Sequence, residues 1–352
     1  MKALKYFIVL IWAICLFTGC EQKVSVETVV HPDGSLDRTI ILEKADTSQI
    51  DRNFFGISRK SGWEIELDTV RSQEDSMKAT KKRKKLIIRF KKHFSSYQES
   101  NKELNSKADT IFKVRANFEK RFRWFYTYLY YSDSYIDLDR LEYVSQDDYF
   151  TREDHAFIDR LPAEGKEISK ADKLFLEKLQ EKTFEDYFSR GIFEEEYNLL
   201  LALMRMHDLE PRWADTLRKH KEPVYSNFMN QGGVADSIAL YIADSLSIPL
   251  PRPQADNDYG VLSKDLRSRL DFFSNFSNTR FKHNIKMPWP VIRSNADSVS
   301  GSHLFWQPPV TKFLIKDYEM YAESRKMNYW AVVVSVMIII LTALLFAKKR
   351  PT

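Results

Sequence analysis

Near the start of the chain Val24, Val26, Thr28 and Val30 alternate with Ser25, Glu27 and Val29. That period of two predicts a half-buried strand, because successive side chains of a strand point to opposite faces. His31-Pro32-Asp33-Gly34-Ser35 reads as a turn and residues 36–42 as the returning strand. Further strands are predicted over 63–70 and 86–94, then a short helix over 98–104. The longest strand signal covers 111–131. Taken as one extended segment, it puts Phe122, Trp124, Tyr126, Tyr128 and Tyr130 on one face, and Arg121, Arg123, Phe125, Thr127 and Leu129 on the other.

The period then lengthens to that of a helix. Ser169 to Asp172 reads as a cap before Leu174, Leu176, Leu179 and Phe184, and a second helix covers 193–206. Pro211 starts a third, Gly232-Gly233 precedes a fourth over 234–246, and the proline-rich stretch 249–253 reads as a stiff connector. After a helix over 262–270, strands return at 280–286, 291–295, 303–306 and 312–322. This order predicts an α+β fold: a β-rich domain over 20–137 and 249–328, carrying an all-α insertion over 138–248.

The two ends carry different signals. Lys2 and Lys5, an apolar run over 6–17, and Thr18-Gly19-Cys20 predict a signal peptide over 1–19. The ending resembles that of bacterial lipoproteins, which implies that Cys20 is lipidated and becomes the first mature residue; Phe17 stands where leucine is usual. At the other end Tyr329-Trp330 opens an uncharged run to Ala347, closed by Lys348-Lys349-Arg350. Its length and aromatic entry predict a transmembrane helix over 329–347 and a cytoplasmic tail over 348–352. A lipid at one end and a helix at the other imply a protein of the bacterial inner membrane with its main domain in the periplasm.

Composition narrows the function classes. With 24 Phe, 17 Tyr and 7 Trp against ten Gly and 12 Pro, the chain is neither collagenous nor disordered. Two cysteines exclude a disulfide scaffold and a four-cysteine zinc site. The formal charge of +5 is supplied entirely by Lys2, Lys5, Lys348, Lys349 and Arg350, so the exported part is neutral. One basic segment stands out within it: Lys78, Lys81, Lys82, Arg83, Lys84, Lys85, Arg89, Lys91 and Lys92. It reads as the solvated flanks of the apolar strand Leu86-Ile87-Ile88, with Lys81 to Lys85 as a second-choice patch for anionic headgroups or a partner. Nucleic acid does not suit an exported domain.

Candidate chemistry is sparse. His31, His93, His155, His207, His220, His283 and His303 show no close metal-ligand spacing, so a metal would need convergence over long range; neither metal nor cofactor is expected. No Gly-x-Ser-x-Gly, phosphate loop or GxGxxG occurs, and Glu194-Glu195-Glu196 reads as a solvated helix face. The aromatic ladder of Trp124, Tyr126, Tyr128 and Tyr130 either packs against neighbouring elements or lines a groove for an acyl chain or partner.

Two resemblances complete the reading. The hairpin Val29 to Ser35, the stretch Met287-Pro288-Trp289-Pro290-Val291-Ile292-Arg293-Ser294-Asn295-Ala296 and Leu304-Phe305-Trp306 resemble the start and end of LppM-like bacterial lipoproteins, which also finish with a membrane helix. Trp289 stands where that pattern has glycine. The resemblance implies a curved sheet with helices, able to hold a lipid, and no catalytic residue. Six Asp-Ser/Thr-apolar triplets, at Thr69, Thr110, Thr216, Ser237, Ser245 and Ser298, resemble a periplasmic O-glycosylation motif of one Gram-negative phylum. The expected function is therefore a non-enzymatic, membrane-anchored lipoprotein whose β-rich domain binds a lipid or a membrane-protein partner. An envelope scaffold that docks a protein through the helical insertion is the alternative, and a hydrolase with a dispersed Ser/His site the least favoured.

Overall fold

The computed structural model describes residues 22–348, apart from 46, 51–52, 54, 71–84, 106–112, 137–140, 231–236 and 277–278. The predicted signal, Cys20, Lys81, Lys82, Arg83, Lys84 and Thr110 lie outside the described residues.

The predicted hairpin forms from β1 (Gln22–Val30) and β2 (Leu36–Ala45), with Val30 opposite Leu36. Antiparallel β4 (Lys85–Phe94) pairs with β2, and β3 (Glu64–Val70) with β4. On the other side of β1 stand β7 (Thr279–Lys286), β10 (His303–Trp306) and β9 (Ser298–Ser300), giving the seven-stranded order β3-β4-β2-β1-β7-β10-β9. The helix Tyr97–Asn105 follows β4, close to its predicted position.

A second sheet contains β5 (Lys113–Arg123), β6 (Tyr126–Ile136), β11 (Tyr318–Met327) and β8 (Val291–Ser294), in the order β5-β6-β11-β8. The single strand expected over 111–131 is thus a hairpin, turning at Trp124-Phe125 with Arg123 opposite Tyr126. A two-residue turn leaves no gap in an alternating pattern, so periodicity alone passes straight through it. It does invert the faces: Tyr126, Tyr128 and Tyr130 lie beside Arg123, Arg121 and Glu119, whereas Phe122 shares the opposite face with Thr127.

The inner faces of both sheets follow the alternation. Val24, Val26 and Val30 of β1, Leu36, Ile40 and Leu42 of β2, Phe281 and Ile285 of β7, and Leu129 and Tyr131 of β6 are all buried. Polar residues share this phase, as described below.

A second compact unit comprises 139–279 and 309–316, while 22–138, 280–308 and the residues from 317 onward form the β-rich unit. The helical unit therefore runs past 248, where the insertion was expected to end. Pro251 is an N-cap residue for the helix Arg252–Leu262, and Ala255 and Tyr259 from that helix enter the same core as Phe193, Leu200 and Leu203. Two helices expected before Met206 form one rod: Lys170–Lys178 passes through a π-helical turn, Leu179–Phe184, into Glu185–Met206.

Glu194, Glu195 and Glu196 are buried, contrary to the solvated face expected for them. Successive helical residues point about 100° apart, and each carboxylate meets a different partner. Glu194 pairs with Arg190 at 2.7 Å and Lys221 at 2.5 Å, and Glu195 with Arg269 at 3.1 Å. Glu196 accepts from Ala239 N at 3.0 Å and from the Tyr259 hydroxyl at 2.8 Å. Burial raises the Glu196 pKa above the usual carboxylate range.

The last expected strand, 312–322, is displaced. Thr311–Ile315 is a short helix that buries Phe313, and β11 runs from Tyr318 to Met327. Glu323, Ser324, Arg325 and Lys326 continue β11, with Ser324 buried. The C-terminal helix, Tyr329–Lys348, follows. Its segment Tyr329–Ala347 has a mean hydropathy of 2.7 with 6% buried, so it is long and apolar enough to cross a membrane.

Candidate functional site

Arg38, Asp133 and His283 stand at inward positions of β2, β6 and β7, between the two sheets, and all three are fully buried. Arg38 Nη2 donates to Asp133 Oδ1 at 2.5 Å and Nη1 to Oδ2 at 3.1 Å. Its Nε donates to Ser100 Oγ at 3.0 Å, and Nη2 also to the Tyr131 hydroxyl at 3.0 Å. His283 Nδ1 lies 2.8 Å from the Tyr135 hydroxyl and Nε2 lies 3.2 Å from Asp133 Oδ2. Burial alone would raise the Asp133 pKa, but the Arg38 charge and the bonds from His283 and Arg38 outweigh it and hold the carboxyl low. Burial lowers the His283 pKa, only partly opposed by Asp133. The network is closed off from solvent and its groups answer one another, so it is a structural core that fixes the two sheets face to face.

This arrangement makes stability pH-dependent in a definite sense. As pH falls below the unfolded histidine value of about 6.5, the unfolded chain takes up a proton that folded His283 refuses. The β-rich unit should therefore lose stability on acidification below that value, because the folded chain binds this proton less readily than the unfolded one. Denaturation curves at several pH values should show a shallower slope for His283→Gln than for the parent chain; equal slopes would refute the assignment.

The outer face of the four-stranded sheet is built differently. Tyr126, Tyr128 and Tyr130 are half-buried there and interleave with charge from both neighbouring strands. Arg325 lies 4.6 Å from the Tyr126 ring centroid, Arg123 5.5 Å from Tyr128, and Arg293 5.5 Å from Tyr321. Tyr130 and Tyr321 stack at 6.0 Å, and the Tyr130 hydroxyl donates to Glu319 at 3.0 Å. Glu119, Arg121, Tyr128, Tyr130, Arg293, Tyr321 and Glu323 line a depression of about 210 Å³. A bidentate bond from Arg121 lowers the Glu119 pKa. Such a lining suits a charged headgroup rather than an acyl chain, because its polar groups would lose hydration against hydrocarbon.

Trp124 does not join this face; it turns toward the C-terminal helix. Its Nε1 donates to Ser335 Oγ at 2.9 Å, its ring meets Trp330 edge-on at 5.4 Å, and Phe122 stacks on Trp330 at 6.1 Å. Buried Asn328, at the end of β11, ties the hairpin to this helix. Its amide donates to Arg123 O at 2.9 Å and Trp124 O at 3.2 Å, while its backbone N donates to Phe125 O at 2.9 Å. Thr127 Oγ1 donates to its Oδ1 at 2.9 Å. Phe122, Trp124, Phe125, Tyr329 and Trp330 are nevertheless exposed, an apolar cluster at the mouth of the helix.

The basic segment divides. Lys85 opens β4, and further along the strand Arg89 lies 3.7 Å from Asp68, Lys91 2.5 Å from Glu66, and Lys92 pairs with Glu103. Of the candidate glycosylation residues, Thr69 lies in β3 and Ser298 is exposed on β9. Thr216 and Ser245 donate to Arg212 O and Tyr241 O of their own helices, and the Ser237 hydroxyl caps Ile238–Ser245. Sequence spacing offered no metal cluster, yet His31, Asp37 and His93 converge on the outer face of the seven-stranded sheet. Arg38, Asp133 and His283 were also passed over; the available signal was a charged residue at the apolar phase of an alternating strand.

No protein-family model matches the chain, and no curated protein matches it. Among solved structures, the NMR structure of the folded domain of LppM from Mycobacterium tuberculosis aligns with 89% of this chain and 94% of its own, at 10% identity and a TM-score of 0.28. A likeness that slight carries no argument about fold or function.

Proposed function

We propose that the chain is a non-enzymatic, membrane-anchored lipoprotein whose β-rich unit binds phospholipid headgroups at the periplasmic surface of the inner membrane. The observation that carries this reading is the bond from Trp124 to Ser335. Ser335 lies six residues into the helix, roughly 9 Å along its axis at about 1.5 Å per residue. A helix that spans the bilayer from Tyr329 takes the β5–β6 tip down with it, beside an aromatic belt of the kind found at membrane interfaces. The depression on the same sheet then offers Arg121 and Arg293 to a phosphate, with Glu119, Glu323 and tyrosine faces for an ammonium group. Lipidation of Cys20 would pin the start of β1 to the same surface.

Native mass spectrometry of the detergent-extracted full chain should show retained phospholipid, reduced at least fivefold in Arg121→Ala/Arg293→Ala. An environment-sensitive probe on Phe125→Cys in nanodiscs should report an apolar setting that is quenched by lipids brominated near the headgroup. A water-exposed probe together with no retained lipid would sink the reading.

A further inference from the structure

We propose that His31, Asp37 and His93 form a surface site for a divalent transition-metal ion of the Zn²⁺ type. The three residues come from separate places in the chain and reach one point through the hairpin and its neighbour. Asp37 on β2 and His93 on β4 are direct cross-strand partners. His31 sits at the turn, where its N donates to Ser35 O at 3.0 Å and its carbonyl accepts from Gly34 N at 3.1 Å. Gly34 holds φ at +92°, and a Cβ there would meet the Phe118 ring at 3.2 Å, so the turn has little freedom to carry His31 elsewhere.

Each carboxylate oxygen takes one imidazole. His31 Nε2 lies 2.7 Å from Asp37 Oδ2 and His93 Nδ1 lies 2.6 Å from Oδ1. The three donor atoms fall within 4.8 Å of one another, and the ring centroids are 6.2 Å apart. Zinc bonds to nitrogen and carboxylate oxygen are about 2.0–2.2 Å long, so donors around a tetrahedral ion stand roughly 3.3 Å apart. Side-chain adjustments of about an ångström admit the ion between the rings without moving a strand. Two neutral imidazoles and one carboxylate are a donor set that such ions favour over Ca²⁺ or Mg²⁺. A fourth position remains open to solvent, and these side chains are 37%, 48% and 61% exposed for His31, Asp37 and His93.

The surrounding charge also suits a cation. Asp33 acts electrostatically on His31. Glu99 faces Lys92 and, more weakly, His93, and Ser35 and Ser95 hold the Asp33 and Glu99 carboxylates in place. Lys91, two residues before His93, is occupied by Glu66, and Lys92 points to the opposite face toward Glu103.

Isothermal titration of Zn²⁺ into the detergent-extracted full chain near neutral pH should give one equivalent bound through this cluster. Affinity should fall at least tenfold in His31→Ala, His93→Ala and Asp37→Asn, and stay unchanged in His303→Ala. Zn²⁺ should also raise the unfolding midpoint of the parent chain but not of the three variants, whose own midpoints confirm that they fold. Absence of binding up to millimolar Zn²⁺, or an affinity in His31→Ala and His93→Ala unchanged from that of the parent chain, would overturn the proposal.

Discussion

Arg38→Met should destabilise the β-rich unit by about 3–5 kcal/mol, the cost of leaving a buried carboxylate without its counter-ion. Asp133 takes two hydrogen bonds from Arg38, whose charge is the largest single influence holding the carboxyl ionised, and both groups are buried. Ser100, Thr28 and Tyr131, which also meet the guanidinium, would lose a partner in the same step. The double variant Arg38→Met/Asp133→Leu should recover most of the loss, because apolar replacements of a buried pair are often neutral or stabilising. Denaturant titration followed by near-ultraviolet circular dichroism reads the packing directly, since Trp306 stands 6.2 Å from His283. A single variant as stable as the parent chain would mean that the pair is hydrated in solution.

The helical unit has a comparable weak point. Glu195→Ala removes the two-bond carboxylate partner of Arg269, which is 8% exposed, and the acceptor of Glu142 N at 2.8 Å. The expected loss is about 3 kcal/mol, the lower end of what breaking a buried ion pair costs. Asp265, 3.1 Å from Arg269 Nε, is 67% exposed and offers only screened compensation. Glu195→Gln keeps an acceptor for Glu142 N and should cost less. Thermal unfolding followed by the helical circular-dichroism signal separates the two variants; equal midpoints would count against a buried pair.

Much of this architecture was legible from periodicity, and the misses share physical causes. The hairpin 22–45, β4 and β10 follow the alternation because one face of each is apolar and buried. The turn at Trp124-Phe125 was invisible because both of its residues are aromatic and the alternation continues across it. Glu194-Glu195-Glu196 looked solvated because, apart from Arg190 one turn back, their side-chain partners, Lys221, Arg269 and Tyr259, are remote in the chain. The tyrosines of the candidate site were visible as a ladder, but the arginines that alternate with them come from β5, β8 and β11. The convergence of His93 on Asp37 depends on a register that only the folded sheet fixes.

Asn328 gives the C-terminal helix a mechanical character that an ordinary tether lacks. A tether lets its cargo swivel, but the four hydrogen bonds this one residue makes, three donated and one accepted, clamp the strand end to the hairpin, and the Trp124 indole grips the helix about two turns further on. Helix and sheet then turn together as a shaft and its key. Whatever sets the rotation of the helix about its own axis also sets the direction in which the tyrosine–arginine face looks.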